Sequence, residues 1–170
     1  LSLRAVAGVL PPRVERTAGE VRADGSRMAM IFQEPLTALN PTRRIGEAIA
    51  DVVQATRRCS RKEARESAVS LLSEVGMTDP ERRARMWPHE LSGGLRQRAV
   101  IAMALGHEPS VLLCDEPTTA LDVTVQDQIL GLLDRLRRER GVSLVFVTHD
   151  LAVVATLCQR IAVMYAGQIV

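Results

Sequence analysis

Apolar residues follow two patterns along this chain: short uninterrupted runs, and longer stretches with helical spacing. The uninterrupted runs lie within residues 28–32, 111–114 and 143–147, the last of which begins with Ser143. Such runs, closed by polar or turn-forming residues, are typical of buried strands in a parallel sheet. Helical spacing marks residues 45–53, 60–74, 99–105 and 122–139. Strands that alternate with helices in this way predict an α/β fold with a parallel sheet core.

The stretch from Ile45 to Met86 is rich in helix formers and charges, which predicts a helical insertion between strands. Ser60, followed three residues later by Glu63, is a capping box that begins the second helix of this insertion. One face of that helix carries Ala64, Ala68, Leu71, Leu72 and Val75. The core-facing positions of the later helix are Ile129, Leu130, Leu132, Leu133 and Leu136. Upstream, the pattern predicts a helix end over residues 1–10 and a short strand over residues 17–21.

Composition narrows the class of protein. The chain has 170 residues, 46% of them hydrophobic, which is enough for one substantial core. Its net charge is only +2, from 22 basic and 20 acidic residues, and aromatic residues are scarce. These values give no support for nucleic acid as a partner. Three widely spaced cysteines indicate a reducing compartment, and no apolar run is long enough to span a membrane.

Two adjacent acids, Asp115 and Glu116, follow the run at residues 111–114 directly. Ligands of open α/β folds collect beyond the carboxyl ends of the strands, so these acids are expected beside a ligand. One acid can hold Mg²⁺ while the other deprotonates a water that attacks a phosphate, and burial is expected to raise the pKa of Glu116. An ordinary acidic turn explains the pair alone equally well.

Three other polar groups lie at the start of a predicted helix or just after a predicted strand. Ser92, Gly93 and Gly94 precede a helix, where unpaired amides can bind a phosphate or simply form a flexible entry loop. Gln33 and His149 follow the other two apolar runs. A lone histidine is more often structural than catalytic, but a shared edge of one parallel sheet would bring His149 and Glu116 together.

Taken in order, these segments resemble a known family. Gln33, the stretch Leu91 to Gln97, the run Val111 to Glu116, the stretch Thr119 to Asp122, and His149 are similar to the Q-loop, signature, Walker B, D-loop and switch histidine of ABC ATPases. The resemblance implies a P-loop NTPase-like nucleotide-binding domain. Its parts would be a partial ATPase core with the Q-loop over residues 1–42, a helical subdomain over 43–90, and the signature helix, Walker B, D-loop and switch histidine over 91–170.

The resemblance also implies roles for these residues. Glu116 would be the catalytic base, and His149 would sense the γ-phosphate. The ATP-binding set would be Gln33, Ser92, Gly93, Gly94, Gln97, Asp115 and Asp122. Within that set, Asp115 and Gln33 would hold Mg²⁺, and Asp122 would link the two sites of a dimer.

The residues in and around these motifs are similar to those of importer ATPases for oligopeptides, dipeptides and nickel. The implied function is ATP hydrolysis that energises peptide import, with a nickel or glutathione-type importer as the alternative. The implied partners are membrane permease subunits, an identical or paralogous ATPase in a head-to-tail dimer, and indirectly a solute-binding protein. The implied location is the cytoplasmic face of the plasma membrane, where the subunit is peripheral.

One motif of the family is absent from the sequence. The phosphate loop Gly-x-x-x-x-Gly-Lys-Ser/Thr does not occur, and the only lysine, Lys62, has no such glycines before it. We expect that the N-terminal part of the ATPase is missing, and that these residues alone turn over little ATP. Two rival hypotheses are a catalytically incompetent dimer partner and an ABC ATPase acting on DNA or ribosomes. The latter usually has coiled-coil arms or two cassettes, which this chain does not show.

Overall fold

A parallel sheet lies at the centre of the molecule. The computed structural model describes residues 2–8, 18, 20, 27–119 and 121–170. In these ranges the sheet has three strands in the order β1 (Met28–Ile31), β2 (Val111–Asp115) and β3 (Ser143–Val147). Both neighbours of β2 run parallel to it, with Cys114 opposite Ile31 on one side and Phe146 on the other. The three predicted runs are thus confirmed as adjacent strands of one parallel sheet.

Helices occupy most of the remaining described chain, and they confirm the predicted helical insertion between β1 and β2. The α-helices are α1 (Ser2–Val6), α2 (Pro35–Ala38), α3 (Ile45–Arg57), α4 (Arg61–Glu74), α5 (Pro80–Ala84), α6 (Gly93–Leu105), α7 (Val123–Arg140) and α8 (Leu151–Leu157). A 3₁₀ helix spans Pro88–Glu90. A short antiparallel hairpin of β4 (Met164–Tyr165) and β5 (Gln168–Ile169) follows α8. None of the helices within the described ranges is both long and apolar enough to cross a membrane.

Local capping explains where two long helices begin. The Ser60 hydroxyl accepts a hydrogen bond from the Glu63 amide, and the Glu63 carboxylate accepts one from the Ser60 amide, at 3.3 and 2.8 Å. The predicted capping box of α4 is therefore confirmed. Asp122 caps α7 in a similar way, because its carboxylate accepts a hydrogen bond from the Val125 amide at 3.0 Å. Each cap satisfies a backbone donor that has no partner within its helix.

The hydrophobic core lies where α3, α4, α6 and α7 pack together and against the sheet. Ile49, Leu72, Ile101, Leu112 and Leu133 are all inaccessible to solvent there. All five apolar positions predicted for α4 are buried, and so are four of the five predicted for α7. Leu130, the fifth, is only half-buried because it lies towards the edge of the α7 apolar face.

Several expectations fail or remain untested. The run at residues 143–147 is not a buried strand, since the side chains of Val145 and Val147 are 43% and 40% exposed. Exposed positions alternate with half-buried ones along β3, so described residues cover only one face of this strand. The short helices α2, α5 and α8 were not predicted, because one or two helical turns leave little periodic signal. The strand predicted over residues 17–21 lies largely outside the described residues.

Close helix packing at Gly46 leads to a stability prediction. A Cβ atom at this position of α3 would lie 2.7 Å from the Ala84 Cβ and 2.9 Å from the Ala84 carbonyl oxygen. Neither atom can rotate away, so Gly46→Ala is expected to lower the free energy of unfolding by about 1–3 kcal/mol. The matched control is Gly131→Ala in the middle of α7, where nothing lies within 4 Å of the added atom.

In an exposed helix interior alanine is favoured over glycine, so Gly131→Ala is expected to raise the free energy of unfolding by about 0.5–1 kcal/mol. Urea titrations followed by circular dichroism would measure both changes. Equal effects of the two substitutions would contradict the close contact between α3 and α5.

Candidate active site

Glu116 lies at the carboxyl edge of the sheet, one residue beyond β2. Its amide donates a hydrogen bond to the Val147 carbonyl at 3.0 Å, which continues the β2–β3 ladder past the end of β2. The backbone then turns sharply, because Glu116 has a φ angle of 48°. This left-handed conformation is unfavourable for a residue with a side chain, and such strain is concentrated at functional sites. The turn directs the chain away from the sheet immediately after the two acids.

The Glu116 carboxylate collects three side-chain contacts. Gln33 Nε2 donates to Oε2 at 3.2 Å, and the Thr119 hydroxyl donates to the same oxygen at 2.9 Å. His149 Nδ1 lies 3.3 Å from Oε1. Gln33 follows β1 and His149 follows β3, so the residues after all three strands converge on one carboxylate. The prediction that Glu116 and His149 meet at one sheet edge is confirmed.

The pKa of Glu116 differs from the sequence-based expectation. Hydrogen bonds from Thr119, followed by those from His149, hold the pKa of Glu116 below its usual value and outweigh the small effect of burial. The expected increase is therefore wrong, because the side chain is at the surface and its donors stabilise the charged form. Glu116 is thus an ionised carboxylate at neutral pH.

His149 has its imidazole largely in solvent, with 73% of the side chain exposed. An ionised carboxylate only accepts hydrogen bonds, so the ring nitrogen facing Glu116 carries the proton. This contact uses Nδ1 and leaves Nε2 available to a ligand. The β3–α8 loop holds the histidine between two local contacts: the Thr148 hydroxyl accepts from the Asp150 amide, and Asp150 caps α8 through the Ala152 amide.

Asp115 ends β2 opposite Val147 and is partly exposed. Its carboxylate and the amide oxygen of Gln33 are hard oxygen donors, the type that Mg²⁺ prefers. Within the described ranges, no group of three or more His, Cys, Asp or Glu side chains could hold a metal ion. Mg²⁺ usually binds through one or two carboxylates plus substrate phosphates, so these residues fit an ion that a nucleotide helps to hold.

The turn of Ser92, Gly93 and Gly94 begins α6, with Ser92 and Gly93 exposed. The Ser92 side chain makes no cap hydrogen bond to its own helix, so its hydroxyl and the first amides of α6 can face a ligand. Packing requires glycine at position 94, whereas a Cβ at Gly93 would make an ordinary contact. A Cβ at Gly94 would lie 2.6 Å from a Val125 methyl group, and one at Gly93 would meet Leu121 at 3.5 Å. This turn is therefore packed against the segment that follows Glu116.

Gln97 is the exception in the predicted ATP-binding set. Its side chain is completely buried in α6, and its amide nitrogen and oxygen have no hydrogen-bond partner among the described residues. A side chain enclosed by helix packing does not reach a ligand at the surface, so we remove Gln97 from the ligand-contacting set. The spacing after Gly94 places it one helical turn further on, on the inner face of α6.

Thr119 is a contact of Glu116 to which the sequence analysis assigned no role. A hydroxyl three residues after an acid in a tight turn can hydrogen-bond to its carboxylate, and that spacing was the available signal.

The other predicted residues are placed as follows. Asp122 caps α7, and Lys62 is a surface residue, 87% exposed, with Glu66 at 3.9 Å.

Comparison with known proteins assigns the family. A model of the family described as "ABC transporter" matches residues 3–119, which is more than half of the chain. The chain belongs to the ABC transporter family. The family model ends at Thr119, so it covers the Gln33, Ser92–Gly94 and Asp115–Glu116 positions described above.

Curated relatives are peptide transport proteins by name. This ABC chain is 56% identical over 156 residues to the probable peptide ABC transporter ATP-binding protein y4tR of Sinorhizobium fredii, covering 92% of the chain and 46% of the relative. It is 51% identical over 161 residues to the oligopeptide transport ATP-binding protein OppD of Bacillus subtilis, covering 95% and 44%. The chain therefore spans less than half the length of these two relatives.

A solved structure supports the fold. It is the dimeric, post-hydrolysis state of the ATP-binding cassette MJ0796 bound to ADP and Pi. The ABC chain matches it with a TM-score of 0.64 and 34% identity, over 75% of this chain and 54% of that one. The α/β fold of an ABC ATPase cassette, predicted from the order of the motifs, is confirmed.

Proposed function

We propose that this chain is part of the ATP-hydrolysing subunit of an ABC importer that brings peptides into the cell. The observation that carries the proposal is the contact of Glu116 with Gln33 and His149. Each of the three residues comes from the loop after one strand, and they meet at the edge of the sheet where the ligand of an α/β fold binds. The names of the two relatives support peptides as the solute, and the ADP and Pi bound to MJ0796 support hydrolysis as the reaction.

In this proposal Glu116 is the general base. Its carboxylate, ionised and held at both oxygens, takes a proton from the water that attacks the γ-phosphate. His149 senses the γ-phosphate: when nucleotide binds, its imidazole turns from Oε1 of the base towards a γ-phosphate oxygen and the attacking water. Mg²⁺, held by Asp115, the Gln33 oxygen and the nucleotide, would neutralise the charge on the phosphates. Glu116 thus removes the proton from the water, and His149 helps to hold the water in line.

The turn at Ser92, Gly93 and Gly94 binds the phosphates of an ATP held mainly by a second subunit. Exposed hydroxyl and amide donors at the start of the 13-residue helix α6 suit such an anion. Asp122 caps α7 through the amide of Val125, whose side chain packs against Gly94, and in this proposal Asp122 links the two sites of the dimer. The proposed assembly is a head-to-tail dimer that works with permease subunits at the cytoplasmic face of the membrane. The dimeric state of MJ0796 supports the dimer, and the names of the two relatives support a transporter.

Two measurements on the complete gene product test the proposal. Purified protein is expected to release phosphate from ATP in a Mg²⁺-dependent way, and deletion of the gene is expected to abolish uptake of labelled di- or oligopeptides by intact cells. Normal ATP hydrolysis with unchanged peptide uptake and lost nickel or glutathione uptake would favour the alternative solutes. Failure of the complete protein to hydrolyse ATP, alone and with its permease, would favour a dimer partner without catalysis.

A further inference from the structure

The three side chains around Glu116 belong to different parts of the chain. Gln33 and His149 lie 83 and 33 residues away, on the loops after β1 and β3. Thr119 lies only three residues away in the same turn, and its contact of 2.9 Å is the shortest of the three. Movement of either outer loop would separate its residue from Glu116, whereas Thr119 moves together with the carboxylate.

The turn that carries Thr119 is anchored on both sides. Thr118 is buried, with 6% of its surface exposed, and its carbonyl accepts a hydrogen bond from the Leu121 amide at 3.1 Å. Leu121 packs beside Gly93, and Asp122 caps α7. These contacts hold the backbone on either side of Thr119, while Thr119 itself is exposed. Its hydroxyl is therefore fixed in place without being part of the core.

The backbone of Glu116 gives this contact a function. With φ at 48°, the residue is in a strained conformation, and a quarter of its side chain is exposed, so hydrogen bonds to the carboxylate help to decide its orientation. The turn is closed by a hydrogen bond from the Thr119 amide to the Glu116 carbonyl, which is long at 3.4 Å. The hydroxyl contact supplies the second link between the same two residues, and that link acts directly on the carboxylate.

We propose that Thr119 is a positioning residue that keeps the Glu116 carboxylate in its reactive orientation when nucleotide is bound. The proposal rests on the proposed function, in which Gln33 and His149 turn towards the metal, the water and the phosphates. Both residues then share their polar groups with the ligand. The Thr119 hydroxyl donates to Oε2 from within the same turn, so it holds this oxygen when the other two residues turn towards the ligand.

The test uses the complete gene product with Thr119 replaced by valine, alanine and serine. Valine has the shape of threonine without the hydroxyl, so Thr119→Val is expected to lower kcat for ATP hydrolysis at least about tenfold, with the KM for ATP within about twofold of wild type. Thr119→Ala is expected to behave like Thr119→Val. Thr119→Ser retains the hydroxyl and is expected to restore kcat to within about threefold.

The matched control is Thr78→Val, at an exposed threonine in the turn between α4 and α5, which is expected to leave kcat and KM unchanged. Unchanged or increased kcat in Thr119→Val and Thr119→Ala would overturn the proposal. So would an effect on KM alone, or a loss of kcat that serine does not restore. If wild-type protein itself does not hydrolyse ATP, the proposed function fails instead, which separates the two outcomes.

Discussion

Glu116→Gln is expected to lower the rate of ATP hydrolysis by the complete protein about 10²–10⁴-fold, while ATP binding stays close to that of wild type. Glutamine keeps the length and shape of the side chain and can still accept hydrogen bonds from Gln33 and Thr119 through its oxygen. Its amide cannot take up a proton from water, so only the general-base step is lost. Phosphate release under saturating ATP and Mg²⁺ measures the rate.

Binding of a fluorescent ATP analogue, measured in parallel, shows whether the site remains intact. The matched control is Glu66→Gln on α4, where the carboxylate has a weak exposed contact to Lys62 at 3.9 Å and is expected to contribute little. A Glu116→Gln protein that hydrolyses ATP within about tenfold of wild type would show that another residue is the base. Equal losses in both variants would indicate a general effect on folding.

Leu133→Ala is expected to lower the free energy of unfolding by about 2–5 kcal/mol. Leu133 lies on the core face of α7 and is inaccessible to solvent, in the same apolar cluster as Leu112 of β2. Truncation removes buried apolar surface and leaves a cavity, because close-packed neighbours relax only partly. The effect is large because the Leu133 side chain is fully enclosed in this cluster. Urea unfolding monitored by circular dichroism measures it.

Leu151→Ala is the control for this experiment. Leu151 begins α8 and is 74% exposed, so the same truncation there is expected to change the free energy of unfolding by less than about 0.5 kcal/mol. A loss below about 1 kcal/mol in Leu133→Ala would contradict the packing of α7 on the sheet. A comparable loss in Leu151→Ala would show that part of the complete protein covers α8.

Predictions from the sequence were correct where neighbours along the chain decide the structure. The capping box of Ser60 and Glu63, the apolar face of α4 and the start of α7 at Asp122 depend on contacts three or four residues apart. The same holds for Asp115 and Glu116 at the end of β2, because a strand that meets two acids and a proline must end there. Local spacing is sufficient for these features, and each was found.

The hydrophobic periodicity of the sequence was less informative about which elements cover each face of a strand or helix. The run at residues 143–147 has the composition of a buried strand, yet Val145 and Val147 are substantially exposed. Gln97 is a polar residue of a type usually found at the surface, yet its side chain is completely buried. A hydrophobic pattern shows which face a residue takes on its own element, whereas burial depends on which other elements pack there.

The sequence by itself determined the α/β class, the order of strands and helices along the chain, and the three strand-end positions occupied by Gln33, Glu116 and His149. The tertiary structure alone decided their distances, because the parallel register of β1, β2 and β3 brings residues 83 and 33 positions apart to one carboxylate. It also decided the pKa of Glu116, which is lowered rather than raised, since that pKa depends on the hydrogen-bond donors around the carboxylate.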